Sequence, residues 1–120
     1  MIYTAGIDVG STYTKAIILS GDRQIVGRGL VKTGFKLNEI GDRTLQLALS
    51  QAGLGLEDIA YMASTGFVRF QTASRNVTVT DLTANARGAR FLYPNTNTIL
   101  DVGGQTMKAI RLDAVGKVKS

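Results

Sequence analysis

The first stretch of the chain with recognisable chemistry joins an aspartate, a glycine-containing turn and a lysine. Asp8 ends one apolar run, small residues follow it, and a second apolar run begins at Ala16. A turn that contains glycine lets the backbone approach an anion closely, so that several N–H groups can point at one phosphate. A lysine at the end of the turn adds a fixed positive charge. The candidate residues of this predicted phosphate-binding turn are Gly10, Ser11, Thr12, Tyr13 and Lys15.

The same arrangement returns near the other end of the chain. Asp101 lies 93 positions after Asp8, and the glycine and lysine that follow each aspartate keep this offset. A single hairpin of this kind is weak evidence, but an internal repeat in register indicates two related lobes that each offer a phosphate-binding turn. The candidate residues of the second turn are Gly103, Gly104, Gln105 and Lys108.

The two aspartates, each at the end of a predicted strand, also suit a metal ion. Mg²⁺ prefers hard carboxylate oxygens, keeps several of its waters and takes only one or two protein ligands. Asp8 and Asp101, facing each other across a polyphosphate, would hold hydrated Mg²⁺ in this way. Alternatively, each aspartate caps its own turn by accepting hydrogen bonds from backbone N–H groups. The repeat favours the phosphate and metal role.

Gln105 is a third candidate for chemistry. Phosphoryl transfer to water depends mainly on positioning and charge neutralisation, and an amide that both donates and accepts hydrogen bonds can orient the attacking water. The candidate catalytic residues are therefore Asp8, Asp101 and Gln105. Gln105 can also be a simple turn residue, and the alternation of a strand can point Lys15 into solvent instead of toward a phosphate.

The composition excludes several other kinds of site. The 120 residues are 44% hydrophobic and 19% charged, which suits one small domain with a packed core. The chain has no cysteine and no histidine, so it holds no disulfide, thiolate metal site or histidine base. The net charge of +5 could attract nucleic acid. The basic residues are spread out and aromatic residues are few, so we expect no nucleic-acid partner.

The apolar stretches of the chain are short, and their length helps to predict where in the cell the protein lies. None approaches the roughly 20 residues that span a bilayer, and the N-terminus lacks a basic region followed by an apolar core. We therefore expect a cytoplasmic protein without a membrane partner.

Hydrophobic spacing predicts the elements that position these residues. Short apolar runs predict strands, and apolar spacings of three and four predict helices. The predicted strands are 2–9, 14–19, 25–32, 59–64, 98–102 and 106–112, and the predicted helices are 38–52 and 81–93. The run 16–19 indicates burial of the second strand on both faces, while Gly27 and Gly29 favour an edge position or a bulge for the third. Gly53 is a predicted helix stop.

This order of elements predicts an α/β fold, a ribonuclease-H-like lobe with a mixed sheet and flanking helices. Residues 1–97 would form this N-terminal lobe, and residues 98–120 would be the first hairpin of a second, truncated lobe. The chain is then a fragment of a longer protein. The alternative is a complete small α/β domain whose last hairpin completes its own sheet.

Four segments together resemble one family. Segments 5–12, 64–67, 85–89 and 101–105 read AGIDVGST, STGF, NARGA and DVGGQ. They resemble the BadF/BadG/BcrA/BcrD-type ATPases, which drive benzoyl-CoA reductase and 2-hydroxyacyl-CoA dehydratases. This family is part of the acetate kinase, sugar kinase, heat-shock-70 and actin superfamily. The likeness extends along nearly the whole chain, and the combination of segments is specific where the first alone is not.

The resemblance implies an ATPase subunit that uses ATP and Mg²⁺ and couples hydrolysis to low-potential electron transfer. It further implies a second ATPase subunit, in a homodimer or heterodimer, and a reductase or dehydratase component as partners. Members of the family bridge a 4Fe-4S cluster between two subunits, with one cysteine just before a segment like NARGA. Ala84 occupies that position here, so this chain supplies no cluster ligand there.

Other classes of function remain as alternatives. A small-molecule kinase of the same superfamily, such as an amino-sugar kinase, needs a base carboxylate near the acceptor hydroxyl, for which Asp81 is the candidate. A non-enzymatic interaction module is a further alternative. A nuclease would need a tight cluster of metal-binding carboxylates, and the sequence shows none.

Overall fold

A computed structural model describes residues 2–34, 37–66, 77–78, 81–102, 107–114 and 117–118. The chain divides into two compact units, Met1–Thr78 and Val79–Ser120, and each contains a sheet of its own. The predicted lobe boundary between residues 97 and 98 stays a prediction. The strands are β1 (Tyr3–Val9), β2 (Tyr13–Ser20), β3 (Ile25–Lys32), β4 (Ile59–Gly66), β5 (Val77–Thr78), β6 (Thr98–Val102) and β7 (Met107–Arg111). The helices are α1 (Leu37–Ala52) and α2 (Asp81–Leu92), and a short 3₁₀ turn covers Leu56–Asp58.

The first unit is built on a five-stranded sheet in the order β3-β2-β1-β4-β5. Neighbours β1 and β2, and β2 and β3, pair antiparallel, whereas β1 and β4, and β4 and β5, pair parallel. The predicted mixed sheet is therefore confirmed. Because β1 and β4 are parallel, their carboxyl ends lie at the same edge of the sheet, where the β1–β2 turn also lies.

One face of this sheet packs on α1 and forms the core. Alternate residues of β1, β2 and β4 meet the apolar stripe of the helix. The buried members of this core are Ala5, Ile7, Val9, Ala16, Ile18, Ile40, Leu45, Ala48, Leu49 and Met62. On the opposite face Ile17 is 38% exposed, so the prediction that β2 is buried on both faces is wrong. In the described part of the chain, α1 covers the face of Ala16 and Ile18 and leaves Ile17 on the other.

The two glycines of β3 let helix α1 approach the strand closely. A Cβ at Gly27 would press against the carbonyl oxygen of Ala48 and lie 3.0 Å from the Cβ of Ala52. A Cβ at Gly29 would meet the Thr44 carbonyl oxygen in the same way. In the described sheet β3 is the edge strand, as predicted, and its pairing with β2 shifts register after Ile18. Besides the edge position of β3, the close packing of α1 explains why Gly27 and Gly29 carry no side chain.

Gly53 ends α1, as predicted. Its φ of +71° lies in the left-handed region that glycine adopts without strain. The Gly53 N–H donates to Ser50 O at 3.2 Å, and the Leu54 N–H donates to Leu49 O at 3.0 Å. These bonds satisfy carbonyl groups that the end of a helix otherwise leaves unpaired.

The second unit places α2 beside the β6–β7 hairpin. Its small core contains Ala86 of α2 with Ile110 and Leu112, against which Ile99 and Val118 pack. None of the helices in the described residues is long and apolar enough to cross a membrane.

Arg90 ties the end of α2 to two loops of the second unit. One guanidinium nitrogen donates to Pro94 O at 3.1 Å, and the other donates to Asp113 O at 2.9 Å. The loop after β7 is closed in turn, because the Asp113 N–H donates to Lys117 O at 2.8 Å.

Candidate phosphate and metal site

The turn between β1 and β2 is tight and exposed at its tip. The Gly10 N–H donates to Tyr13 O at 3.0 Å, and a Cβ at Gly10 would lie 2.6 Å from that same oxygen. Only glycine fits there without a shift of the backbone. Ser11, Thr12 and Tyr13 are exposed at the tip, so the turn can offer their N–H groups to an anion. Gly10 thus shapes the turn, while its own N–H is engaged within it.

Two buried threonines, Thr14 and Thr33, support this turn through hydrogen bonds. Thr33, which follows β3, donates its hydroxyl to Gly10 O at 2.8 Å, and its N–H donates to Thr12 O at 2.9 Å. The hydroxyls of Thr14 and Thr33 lie 3.0 Å apart. Because the single hydroxyl proton of Thr33 goes to Gly10 O, Thr14 is the donor in that pair. Both side chains are nearly inaccessible, at 0% and 4% exposure, so the turn rests on a fixed network.

Sequence reasoning missed both threonines. The sequence predicts Thr14 only as a strand residue, and Thr33 lies 19 positions from it. The available signal was a hydroxyl at a core-facing position of β2, since Thr14, Ala16 and Ile18 share that face. A buried hydroxyl requires a partner, but the sequence does not say which residue supplies it.

Asp8 stands at the end of β1 between two very different neighbours. It pairs with Lys15 across the antiparallel β1–β2 ladder and with Thr65 across the parallel β1–β4 ladder. Side chains of paired residues lie on the same face of a sheet. Lys15 therefore shares the face of Asp8. Asp8 is half-buried on that face, whereas Lys15 is exposed to solvent. A contact of Lys15 with phosphate stays a prediction.

Strand β4 ends directly against the Asp8 carboxylate. Its last residue, Gly66, has a φ of +99°, and a Cβ there would lie 2.6 Å from Asp8 Oδ1. A side chain at this position would displace the carboxylate. The sequence predicts that this strand ends at Ser64, whereas the structure extends it through Gly66 to the level of Val9.

Thr65 is another polar side chain at this edge of the first unit. It lies in the family-like segment 64–67, but the sequence pattern assigns it no role in the site. It is 7% exposed, and its Oγ1 is fully enclosed with no hydrogen-bond partner among the described residues. Since buried hydroxyls are normally paired, an unpartnered one beside a half-buried carboxylate calls for an explanation.

The second hairpin repeats the pairing register of the first. Asp101 pairs with Lys108 in β6–β7 as Asp8 pairs with Lys15 in β1–β2. Val102 pairs with Met107, 93 positions after the corresponding pair in the first hairpin. The repeat seen in the sequence is therefore a repeat of backbone pairing as well.

The rest of the second turn lies outside the described residues. This holds for Gly103, Gly104 and Gln105, and for the side chains of Asp101 and Lys108. Asp8 and Asp101 also belong to different units. Their predicted convergence on one polyphosphate, and the water-orienting role of Gln105, stay predictions.

The sheet order and the turn after its first strand define the class of the protein. A mixed sheet in the order β3-β2-β1-β4-β5, with α1 between β3 and β4, is the ribonuclease-H-like lobe of actin-like ATPases. The chain belongs to the BadF/BadG/BcrA/BcrD ATPase family, whose model matches residues 5–120. The resemblance noted from four short segments is thus confirmed over almost the whole chain.

Three relatives illustrate this membership. The activator of lactoyl-CoA dehydratase from Anaerotignum propionicum is 41% identical over 118 residues, which cover 98% of this chain and 45% of that protein. Component A of (R)-2-hydroxyglutaryl-CoA dehydratase from Acidaminococcus fermentans matches with a TM-score of 0.92 and 36% identity, covering 100% of this chain and 46% of that one. The activator of 2-hydroxyisocaproyl-CoA dehydratase from Clostridium difficile, solved with bound ADPNP, matches with a TM-score of 0.89 and 34% identity, covering 99% and 44%. The chain therefore spans about half the length of these relatives.

Proposed function

We propose that the full-length protein hydrolyses ATP and that the β1–β2 turn binds its phosphates. The observation that carries this proposal is the repeated hairpin, in which each aspartate at a strand end pairs with a lysine in the same register. In the first copy a glycine turn, fixed by buried threonines, follows the aspartate. The ADPNP bound to the 2-hydroxyisocaproyl-CoA dehydratase activator supports a nucleotide as the ligand.

The residues around Asp8 fit hydrated Mg²⁺. The described residues contain no group of three or more carboxylates for a metal, which suits an ion that keeps most of its waters and takes one or two protein oxygens. The unpartnered Thr65 hydroxyl and the space that Gly66 leaves for Asp8 Oδ1 are consistent with a water shell at this point. Asp8 would hold the ion from the first hairpin and Asp101 from the second. Bound Mg²⁺ neutralises phosphate charge during phosphoryl transfer.

Each predicted site residue has a role in this proposal. The N–H groups of Ser11 and Thr12, with those of Tyr13 and the second turn, hold phosphate oxygens, and Lys15 adds positive charge. Gln105 orients the attacking water, and Gly10, Gly103 and Gly104 let the backbone approach. Hydrolysis then needs no covalent intermediate on the protein, because positioning and charge neutralisation lower the barrier.

We further propose that the partners are a second ATPase subunit and a 2-hydroxyacyl-CoA dehydratase or related reductase component. The names of the relatives, activators of such dehydratases and a benzoyl-CoA reductase subunit, support this choice. ATP hydrolysis would drive electron delivery to that component from a reduced electron carrier that the residues of this chain do not themselves hold. Ala84 carries a methyl group, and the chain has no cysteine, so its residues do not fit an iron–sulfur cluster.

The test is Asp8→Asn in the full-length protein, which keeps the size of the side chain and removes its charge. We expect Mg²⁺-dependent phosphate release from ATP to fall by about 100-fold or more, the effect typical of losing a preorganised charged group in a phosphoryl-transfer site. The matched control is Asp58→Asn, because Asp58 is exposed and caps the Gly55 N–H through a carboxylate oxygen, which an amide can replace.

The control should hydrolyse ATP at the wild-type rate. Wild-type turnover by the Asp8 variant would contradict the assignment. Transfer of phosphate to a sugar in place of water would identify the kinase alternative.

A further inference from the structure

The hydroxyl of Thr65 differs from the other buried threonine hydroxyls of the first unit whose hydrogen bonds are described above. Thr65 Oγ1 is enclosed and has no hydrogen-bond partner among the described residues, although the residue is only 7% exposed. Threonine and valine have the same shape, so packing alone would favour valine at such a position. A hydroxyl retained there without a partner reduces the stability of the free protein.

The position of Thr65 on the sheet points to what the hydroxyl serves. Thr65 is the register partner of Asp8 in the parallel β1–β4 pair, so the two side chains lie on the same face at the carboxyl ends of their strands. The next residue, Gly66, brings the backbone of β4 against Asp8 Oδ1. Thr65 therefore flanks the carboxylate on one side, as Lys15 does on the other.

These two neighbours of Asp8 differ in what they can do for a hydrated cation. The ammonium group of Lys15 donates hydrogen bonds and repels a metal ion, so it suits phosphate. The hydroxyl of Thr65 is uncharged and can accept a hydrogen bond. Waters bound to Mg²⁺ are strong donors because the ion polarises them, and such waters need acceptors in the surrounding protein.

We propose that Thr65 is a positioning residue whose Oγ1 accepts a hydrogen bond from a water of the Mg²⁺ ion that Asp8 holds. The inference rests on the proposed ATPase function and adds a residue to its metal site. It gives a function to an enclosed hydroxyl that has no hydrogen-bond partner among the described residues.

The test compares Thr65→Val with Thr65→Ser in the full-length protein. Thr65→Val keeps the shape and removes the hydroxyl, so the melting temperature of the protein free of metal and nucleotide should stay the same or rise. The Mg²⁺ concentration needed for half-maximal nucleotide binding should increase about tenfold, as expected for one hydrogen bond to a charged centre. Thr65→Ser keeps the hydroxyl and should retain the wild-type Mg²⁺ requirement.

Thr44→Val is the matched control. Thr44 is a buried threonine of the same unit, but its hydroxyl donates to Ile40 O at 2.7 Å within α1. Removing that hydroxyl should leave the Mg²⁺ requirement unchanged, and the melting temperature should not rise as it can for Thr65→Val. Comparison of Thr44→Val with Thr65→Val thus distinguishes a hydroxyl that stabilises the fold from one that contributes to Mg²⁺ binding.

The outcomes distinguish this inference from the proposed function. A lower melting temperature for metal-free Thr65→Val, or an unchanged Mg²⁺ requirement, would overturn the role of Thr65 and leave the Asp8 assignment standing. Wild-type protein whose nucleotide binding does not respond to Mg²⁺ would overturn both.

Discussion

At the scale of single residues, the candidate site depends on groups far apart in sequence. Asp8 and Gly10 can be found from the sequence because their types and spacing are those of a phosphate turn. Thr33 cannot, because its contact with the Gly10 carbonyl joins residues 23 positions apart. The place of Thr65 beside Asp8 cannot be found either, since only the parallel pairing of β1 with β4 brings the two residues together.

Thr33→Val tests the network beneath the turn. The change removes the bond to Gly10 O and leaves the buried Thr14 hydroxyl without its acceptor. We expect the free energy of unfolding to fall by about 1–3 kcal/mol, the usual result of stranding a buried polar group. We also expect nucleotide binding to weaken, because the turn loses a support.

Urea unfolding and nucleotide titration measure the two effects of Thr33→Val. Thr33→Ser keeps the hydroxyl and should recover most of the lost stability. Equal stability of the wild type and the valine variant would show that the network does not hold the turn.

At the scale of elements, the sequence predicts strand and helix positions well and burial less well. Strands β3 and β6 have their predicted limits, and α1 and α2 differ from prediction by a residue at one end. The failure at Ile17 has a simple physical cause. Four consecutive apolar residues show that a strand is apolar, but only the packing of α1 decides which face is covered.

Two glycine-to-alanine changes test how elements use their glycines. Gly29→Ala places a methyl group against the backbone of α1 at Thr44, whereas an added Cβ at Gly88 of α2 meets no atom within 4 Å. We expect Gly29→Ala to destabilise the protein by about 1–3 kcal/mol through overpacking. Gly88→Ala should stabilise it by up to about 1 kcal/mol, because alanine favours a helix over glycine.

Denaturant unfolding measures the change in the free energy of unfolding for both variants. The two values can be compared directly, because the chemical change, glycine to alanine, is the same in both. Similar shifts of the same sign would mean that the approach of α1 to β3 does not depend on a missing side chain. A loss of stability in the Gly88 variant would mean that this face of α2 is covered in the folded protein.

At the scale of the whole molecule, the repeated hairpin is predictable from the sequence, because Asp101 and Lys108 lie 93 positions after Asp8 and Lys15. The sequence showed the constant offset because no insertion interrupts it, and the register of β6–β7 confirms it. How the two units are arranged depends on contacts that no local pattern encodes. The proposal that Asp8 and Asp101 act on one ligand is therefore a claim about the assembled protein.

A double-mutant cycle on the two aspartates tests that claim. If both hairpins bind the same Mg²⁺–nucleotide, Asp8→Asn and Asp101→Asn should each weaken binding by about 10-fold or more, and the double variant should lose much less than the sum of the two effects. Calorimetric titration of the full-length protein with Mg²⁺–ATP measures all four affinities.

Asp113→Asn is the control for this cycle, because an amide oxygen can still accept the bond from the Lys117 N–H. It should bind like the wild type. Wild-type affinity in Asp101→Asn, or strict additivity in the double variant, would contradict a shared ligand.

The common register of the two hairpins also shows where their residues differ. Met107 of β7 occupies the pairing position that Thr14 occupies in β2. A methionine side chain has no hydroxyl proton, so Met107 cannot donate the kind of hydrogen bond that Thr14 donates to Thr33 in the first hairpin.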